Sequence, residues 1–108
     1  MMKTALEIIT EAQDLIRDPN RWTQGCYARN EHGVPTGASN PAAVRWDASG
    51  AILKVAGAPQ YVVTAALADI FKGEGVVHTN DSRGHAAVMA MFDRVREKAA
   101  ALVASVPA

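Results

Sequence analysis

Cysteine is almost missing from this sequence, which contains only Cys26 among its 108 residues. A single cysteine cannot form a disulfide within the chain, and it cannot supply the ligands of a multi-cysteine zinc site. Aromatic residues are also scarce, at 6% of the chain. The low cysteine content is typical of proteins in the reducing cytoplasm. The few aromatics favour closely packed helices over a thick aromatic core.

Two further absences narrow the classes of function. The 11 basic residues balance the 11 acidic ones, so no long-range field favours nucleic acid or an anionic membrane. No stretch approaches the roughly 18 consecutive apolar residues of a membrane-spanning helix. Near the N-terminus, Glu7, Glu11 and Asp14 interrupt the apolar positions, unlike the core of a signal peptide. We therefore expect a cytoplasmic protein without membrane or nucleic-acid partners.

A helix is predicted near the start of the chain. Thr4 and Glu7 have the spacing of a capping box, in which each side chain accepts a hydrogen bond from the other residue's amide. Apolar residues follow at helical spacing until Asp18 and Pro19, where the residue before proline avoids the helical region. We expect the first helix to end there.

Residues 40–57 predict a long central helix, capped by Ser39 or Asn40 and ended by Gly57. Their apolar side chains fall into two stripes at helical spacing, so we expect this helix to be covered on both sides. Gly50 lies near Trp46 in the same stripe. Because an interior glycine weakens a helix, we interpret Gly50 as a position where a neighbouring backbone approaches closely.

Two more helices are predicted after the central one. Residues 58–71 keep apolar side chains on one face and end near Gly73, a plausible helix terminator. A final helix is predicted to reach about Ser105. Its N-terminal cap is one of three polar residues: Thr79, Asn80 or Asp81.

The irregular part of the chain lies between the first and central helices. Residues 21–37 have the composition of either a two-stranded hairpin or a plain loop. The predicted fold is therefore mainly α, a compact bundle of about four helices with a small β-hairpin or loop insertion. We expect residues 1–108 to form a single helical domain.

Catalysis by Cys26 would require a nearby base to produce its thiolate. The candidate bases are His32, His78 and His85, all distant from it in sequence. We therefore interpret Cys26 as a small, half-buried apolar residue. No phosphate-binding glycine loop, Ser-His-Asp order or pair of catalytic carboxylates is recognisable, and no cofactor is predicted.

The richest polar cluster spans residues 78–85. His78, Asp81 and His85 have side chains that can ligate a metal ion. Asparagine and aspartate are also the residues favoured at helix N-termini, so we predict capping by Asn80 or Asp81 in place of a metal site. The same pair is a candidate for holding the preceding hairpin loop against the helical body.

A second group of residues has ligand-binding chemistry. Trp22, Gln24 and Gly25 combine a large aromatic ring, an amide and a small residue that permits close approach. Arg29 and Arg45 can bind a phosphate or carboxylate, pair with Asp47 or Asp81, or simply face water. The candidate ligand-binding residues are therefore Trp22, Gln24, Arg29, Arg45, Asn80, Asp81 and His85.

Several of these residues belong to motifs that occur in a fixed order. The motifs are W-x-Q-G at 22–25, A-R-N-x-x-G at 28–33, R-W-x-x-x-G-A at 45–51 and N-D at 80–81. Over roughly residues 5–100, they resemble a domain-of-unknown-function family of small proteins from bacteria and their phages. Members of that family often carry cysteine directly after each tryptophan, where this chain has Thr23 and Asp47. The resemblance therefore supports the fold, implies no shared metal or redox role, and transfers no activity.

Two functions remain open from the sequence. We expect a small cytoplasmic binding or interaction protein without catalysis, phage-related or regulatory, whose partner is another protein or a second copy of itself. The alternative is a small-molecule-binding protein or small hydrolase, with its site between the 22–33 hairpin and the 78–85 loop. The lack of an assembled catalytic set favours the first.

Overall fold

The computed structural model describes residues 3–104, which fold mainly into helices. The helices of this described part are α1 (Ala5–Leu15), α2 (Ala48–Ala56), α3 (Gln60–Leu67), α4 (Val76–Ser82) and α5 (His85–Ala104). Its strands are β1 (Ala28–Arg29), β2 (Pro35–Thr36) and β3 (Arg45–Trp46). The predicted fold class, mainly α with a small β insertion, is confirmed.

Helix α1 begins and ends close to where its sequence predicts. The Glu7 amide donates to Thr4 Oγ1 at 3.1 Å, and the Thr4 amide donates to Glu7 Oε1 at 3.0 Å, which completes the capping box. A short 3₁₀ turn at Pro19–Arg21 follows the helix, with the Asp18 side chain accepting from the Asn20 amide. The proline therefore closes α1 as expected.

The long central helix predicted for residues 40–57 is wrong in its first half. The chain forms a turn after Asn40, then strand β3, and α2 begins only at Ala48. The cap is Asp47, whose carboxylate accepts from the Gly50 amide, and not Ser39 or Asn40. Aspartate is favoured at helix N-termini because its carboxylate receives the free amides of the first turn. Helix α2 therefore begins directly after Asp47, although the helical spacing of apolar residues starts earlier in the chain.

The second half of that prediction is confirmed. Gly57 ends α2 in the left-handed conformation, with φ at 63°. Helix α2 contacts α1, α3 and α4, so it is covered on more than one side. A Cβ atom at Gly50 would collide with the carbonyl of Tyr27, which is the close backbone approach that the sequence predicts.

The irregular insertion is a hairpin extended by a third strand. The strand order is β2-β1-β3, and both pairs are antiparallel. Ala28 lies opposite Thr36 on one side and opposite Trp46 on the other. The sequence did not predict this third strand, because β3 lies in the stretch whose apolar spacing predicted the central helix.

The C-terminal half contains one helix more than predicted. Helix α3 ends at Leu67, before the predicted end at residue 71, and Gly73 has φ at 87° in the connection that follows. Gly84, at φ 92°, separates α4 from α5. The final helix therefore begins at His85. Its predicted end at about Ser105 lies outside the described residues.

The hydrophobic core lies where α1 packs against both α2 and α5. The buried residues of these helices, together with Ile16 directly after α1, include Ile9, Ala12, Ala48, Ala51, Ile52, Val88, Met91, Phe92 and Val95. Trp46 joins the core from β3 at 5% exposure, and its indole nitrogen donates to the Ala38 carbonyl at 2.9 Å. Strand β3 is therefore fixed to the body by a buried ring with a satisfied polar atom.

The described residues contain no single helix long and apolar enough to cross a membrane. Helices α2 and α3 reach the required length and composition only when taken together, and they are bent by 104° at the break between them.

Candidate functional site

Asn80 is the centre of the polar network that joins the sheet to the helices. It lies near the end of α4 and is 1% exposed. Its Oδ1 accepts from Trp22 Nε1 at 2.7 Å and from the Ala48 amide at 2.9 Å. Its Nδ2 donates to the Thr23 carbonyl at 3.1 Å and to Asp81 Oδ1 at 2.9 Å. We call this group the Asn80 hub.

The capping role predicted for Asn80 and Asp81 is wrong, because both residues lie inside α4 and precede the start of α5. Asn80 does accept a hydrogen bond from a helix N-terminus, but that helix is α2, whose first residue is Ala48. The side chain reaches it through space from a segment 32 residues later in the chain. Thr79, the third predicted cap, is also inside α4 and is 7% exposed.

The interpretation that this pair holds the hairpin loop is confirmed by the contacts of Gln24 and Gly25. Gln24 Nε2 donates to the Asn80 carbonyl at 2.9 Å and to the Asp81 carbonyl at 3.3 Å. The Gly25 amide donates to Asp81 Oδ1 at 3.0 Å. The carbonyls at a helix C-terminus have no partner within the helix, and here the loop supplies it.

The two tryptophans bring the loop and β3 together beside the hub. Trp22 pairs with Trp46 in an isolated parallel bridge, and the Thr23 amide donates to the Trp46 carbonyl at 3.0 Å. The Trp22 ring also makes an edge contact with the ring of His85, with 5.5 Å between centroids. His85 Nε2 lies 2.7 Å from the Ile16 carbonyl at the end of α1. Because a carbonyl oxygen can only accept, Nε2 is the donor of this hydrogen bond.

His78, Asp81 and His85 do not form a metal site. His78 is exposed, whereas His85 is engaged with α1. No group of three histidine, cysteine, aspartate or glutamate residues in the described part of the chain is placed to hold a metal ion.

The two candidate arginines bind carbonyl and hydroxyl oxygens of the chain itself. Arg29 donates to Thr23 Oγ1 at 2.8 Å, to the Gly33 carbonyl at 3.0 Å and to the Gln24 carbonyl at 3.0 Å. Arg45 Nε donates to the Asn20 carbonyl at 3.0 Å. Arg29 does not pair with Asp47 or Asp81, because its side-chain nitrogens bind oxygens of the loop. Binding of an external anion by either arginine stays a prediction. Neither arginine forms an ion pair within residues 3–104.

All seven predicted site residues therefore make hydrogen bonds within the protein, and most of them meet at the hub. Trp22, Gln24, Asn80 and Asp81 join the loop to α4, and Asn80 also binds the first amide of α2. Arg29 instead binds within the insertion. A ligand that needed the same atoms would have to break these contacts first.

A cleft of about 540 Å³ lies on the outer side of the hub. It is lined by Gly25, Cys26, Tyr27, Pro35, Thr36, Asp47, Val77 and Asp81. The hairpin forms one wall and α4 forms the other, which places the cleft in the region where the sequence predicts a binding site. No basic side chain lines it. Of the seven candidate residues, only Asp81 faces this cleft.

Asp47 is the residue of this cleft that sequence reasoning missed. Its side chain is 6% exposed, and Oδ1 accepts from the Gly50 amide. Oδ2 makes no hydrogen bond with the described residues, yet these residues contain no buried polar side-chain atom without a partner. Oδ2 must therefore reach the solvent of the cleft. Burial, with the nearby charge of Asp81, raises the pKa of Asp47 to about 6, against the lowering effect of the Gly50 hydrogen bond.

A local signal for Asp47 was present in the sequence. Aspartate is one of the residues favoured at the N-terminal cap of a helix, and Ala48 directly after it is a strong helix former. The helical interpretation of residues 40–57 placed Asp47 on an exposed polar line and concealed that signal.

Cys26 lines the same cleft without the neighbours of a nucleophile. It is half-buried, and its Sγ lies 3.3 Å from the Ala28 carbonyl. None of the histidines contributes to the lining of the cleft. Its surroundings therefore supply no histidine to act as the general base that would form a thiolate.

In this chain, residues of the four motifs make contacts that hold the fold together. The model of a family of unknown function, DUF6197, matches residues 1–98, and the chain belongs to that family. The resemblance inferred from the four motifs is thereby confirmed. No curated protein and no solved structure matches the chain. The family's description carries no activity, so the function is inferred from the geometry alone.

Proposed function

We propose that this protein is a small cytoplasmic binding protein, regulatory and without catalysis, that holds a cationic side chain of a partner protein in the Asp47–Asp81 cleft. The observation that carries this proposal is the lining of the cleft, which contains two carboxyl groups and no basic residue. An ammonium or guanidinium group would pair with both acids and satisfy Oδ2 of Asp47.

The protonation of Asp47 supports a cationic ligand over an anionic one. The pKa of about 6 leaves this carboxyl mostly ionised at neutral pH, although burial disfavours the charge. A bound cation would offset that cost and lower the pKa of Asp47. At pH values near and below about 6, where the free carboxyl is partly protonated, binding therefore releases a proton. We therefore expect affinity to fall as the pH is lowered through about 6.

The rim of the cleft supports a side chain of arginine or lysine. Tyr27 is 38% exposed and Val77 is 59% exposed at the mouth. An aromatic face stacks on a guanidinium group, and apolar surface accommodates the methylene stem of a long cationic side chain. The open shape of the cleft favours a side chain presented by a protein surface over a fully enclosed metabolite.

The proposal is tested by titrating the protein with Nα-acetyl-arginine methylamide and following amide chemical shifts. We expect saturable shifts at Gly25, Tyr27 and Asp81, and none with the citrulline analogue, which has the same shape without the charge. Asp81→Asn should weaken binding about tenfold, because it removes one charge and keeps the oxygen that accepts from Gly25. The matched control is Asp69→Asn, which changes an exposed acid away from the cleft.

Equal shifts with arginine and citrulline probes, or shifts elsewhere in the protein, would contradict the proposal. A second copy of the chain is the alternative source of the cationic side chain. Sedimentation over a wide concentration range distinguishes it, because self-association through this cleft would be lost in Asp81→Asn and kept in Asp69→Asn.

A second candidate function, a small hydrolase, is favoured by one specific observation. Asp47 and Asp81 line one cleft, and burial raises the pKa of Asp47 to about 6. A carboxyl whose pKa is raised by burial can act as a general acid or base near neutral pH. A panel of nitrophenyl esters and glycosides tests this function. Turnover that disappears in Asp47→Asn, while the variant melts no lower than wild type, would support it over the binding function.

A further inference from the structure

A second cavity lies between α2 and α3. It has a volume of about 220 Å³ and is lined by α2, α3, the chain that follows α3 and the first residue of α4, Val76. Its apolar wall includes Ile52, Leu53, Val63, Leu67 and Phe71. It shares no residue with the Asp47–Asp81 cleft, so an inference about it does not depend on the function proposed above.

One edge of this cavity is polar and open. Ser49, Gln60 and Thr64 line it, and none of their side chains forms a hydrogen bond with another described residue. Gln60 and Thr64 are exposed, as is the neighbouring Ala68, so the cavity opens to solvent along this edge. A molecule inside would meet apolar side chains at its depth and hydrogen-bonding groups at the mouth.

The outer wall of the cavity is attached to the body by apolar packing alone. Val63, Leu67 and Ile70 are buried, but no side-chain hydrogen bond or ion pair within the described chain involves residues 58–71. Gly57 and Gly73 flank this segment in left-handed conformations, with φ at 63° and 87°. We therefore expect this segment to separate from the body more readily than the elements that hydrogen bonds also hold.

The volume limits what the cavity can accept. An apolar cavity of about 150 Å³ takes up benzene, so a cavity half as large again holds roughly nine non-hydrogen atoms. A peptide helix is about 10 Å wide and cannot enter it. The occupant must therefore be a small molecule with an apolar body.

We infer that the α2–α3 cavity is a binding site for a small aromatic molecule that carries one hydrogen-bonding group, with α3 as its movable wall. The ring lies against Leu53, Val63 and Leu67, and its polar group reaches the Thr64 hydroxyl at the mouth. A ligand bound there joins α3 to α2 and stabilises the segment that otherwise has only its own packing.

The test is a titration of the full chain with 4-ethylphenol, which has an apolar ring and one hydroxyl. Amide chemical shifts should change saturably in α2 and α3 and not at the Asn80 hub. Ala68→Phe places a ring in the mouth of the cavity, and we expect it to weaken binding at least about tenfold. The matched control is Ala65→Phe, an exposed alanine on the same helix that does not line the cavity.

Thr64→Val provides a second, independent variant, because it keeps the shape of the side chain and removes the hydroxyl. It should weaken 4-ethylphenol and leave the affinity of 4-ethyltoluene unchanged. Melting temperatures measured for all variants separate blocked binding from lost folding. The inference is overturned if the wild-type chain shows no saturable shifts in α2 and α3, or if Ala65→Phe and Ala68→Phe bind equally.

Discussion

Replacing Asn80 with alanine should cost far more than the loss of an ordinary helix cap. Asn80→Ala removes the acceptor of Trp22 Nε1 and of the Ala48 amide, and the donor to the Thr23 carbonyl. A buried polar group left without a partner costs about 1–3 kcal/mol, and the two donors together give a loss of roughly 3–5 kcal/mol. A small domain has only about 5–15 kcal/mol of stability in total.

Two further variants at this position separate the hub from a simple cap. Asn80→Ser should not restore stability, because a hydroxyl is too short to reach Trp22 and Ala48 together. Asn80→Asp keeps the acceptor but turns the donor into an oxygen that faces the Thr23 carbonyl and Asp81 Oδ1. This variant should be strongly destabilised at neutral pH and recover part of the loss in acid, where the protonated carboxyl can donate again.

Urea and thermal unfolding, followed by the tryptophan fluorescence, measure these changes. For a domain of this size, each kcal/mol shifts the melting temperature by about 4 °C, so Asn80→Ala should melt about 12–20 °C lower. The control is Ser82→Ala at the exposed end of α4, which should stay within about 0.5 kcal/mol of wild type. A loss below about 1 kcal/mol in Asn80→Ala, or full recovery in Asn80→Ser, would refute the reasoning.

Three other substitutions test separate parts of the structure by urea unfolding. Trp46→Ala should lose about 3–5 kcal/mol, because it removes a buried ring and the donor to Ala38; a change under 1 kcal/mol would contradict the packing described for β3. Gly50→Ala should destabilise by about 1–3 kcal/mol through its collision with Tyr27, although alanine is the better helix former; a stabilised variant would disprove the close approach. Burial raises the pKa of Asp47 from 3.8 to about 6, because the folded protein favours the protonated carboxyl. The stability that results is fully present below the pKa of the unfolded chain, and it is lost as the pH rises through about 6. Asp47→Asn keeps the cap and should therefore be more stable than wild type at about pH 7.5 and not at about pH 4; an equal difference at both would show that the charge is not the cause.

Local signals predicted the parts of the fold that depend on neighbours in sequence. The box at Thr4 and Glu7, the stop at Gly57 and the close approach at Gly50 each follow from the chemistry of one residue or one short spacing. The helix prediction for residues 40–47 was wrong, because the apolar spacing there fits a helix as well as it fits a strand followed by a helix cap. The pairing of β3 with β1, which decides between them, depends on residues far earlier in the chain.

The candidate site illustrates the same limit. The sequence identified Trp22, Gln24 and Asn80 as polar residues of an unusual pattern, and the structure brings them together. It could not show that they bind one another, because the partners of Asn80 lie 32 and 58 residues away. Asp47, which faces the cleft, was concealed by a helical pattern that continues through it.

The Asn80 hub also sets the order in which this chain can acquire its structure. The first amide of α2 receives its partner from a residue that is synthesised 32 positions later. A growing chain that ends at Gly57 contains α1, the sheet and α2 but lacks the side chain that connects them. We therefore expect the first half of the protein to remain unfolded until α4 has been made, and folding to proceed in one late step. Since long loops must close before their contacts stabilise anything, this step should be slower than in helical bundles with local contacts.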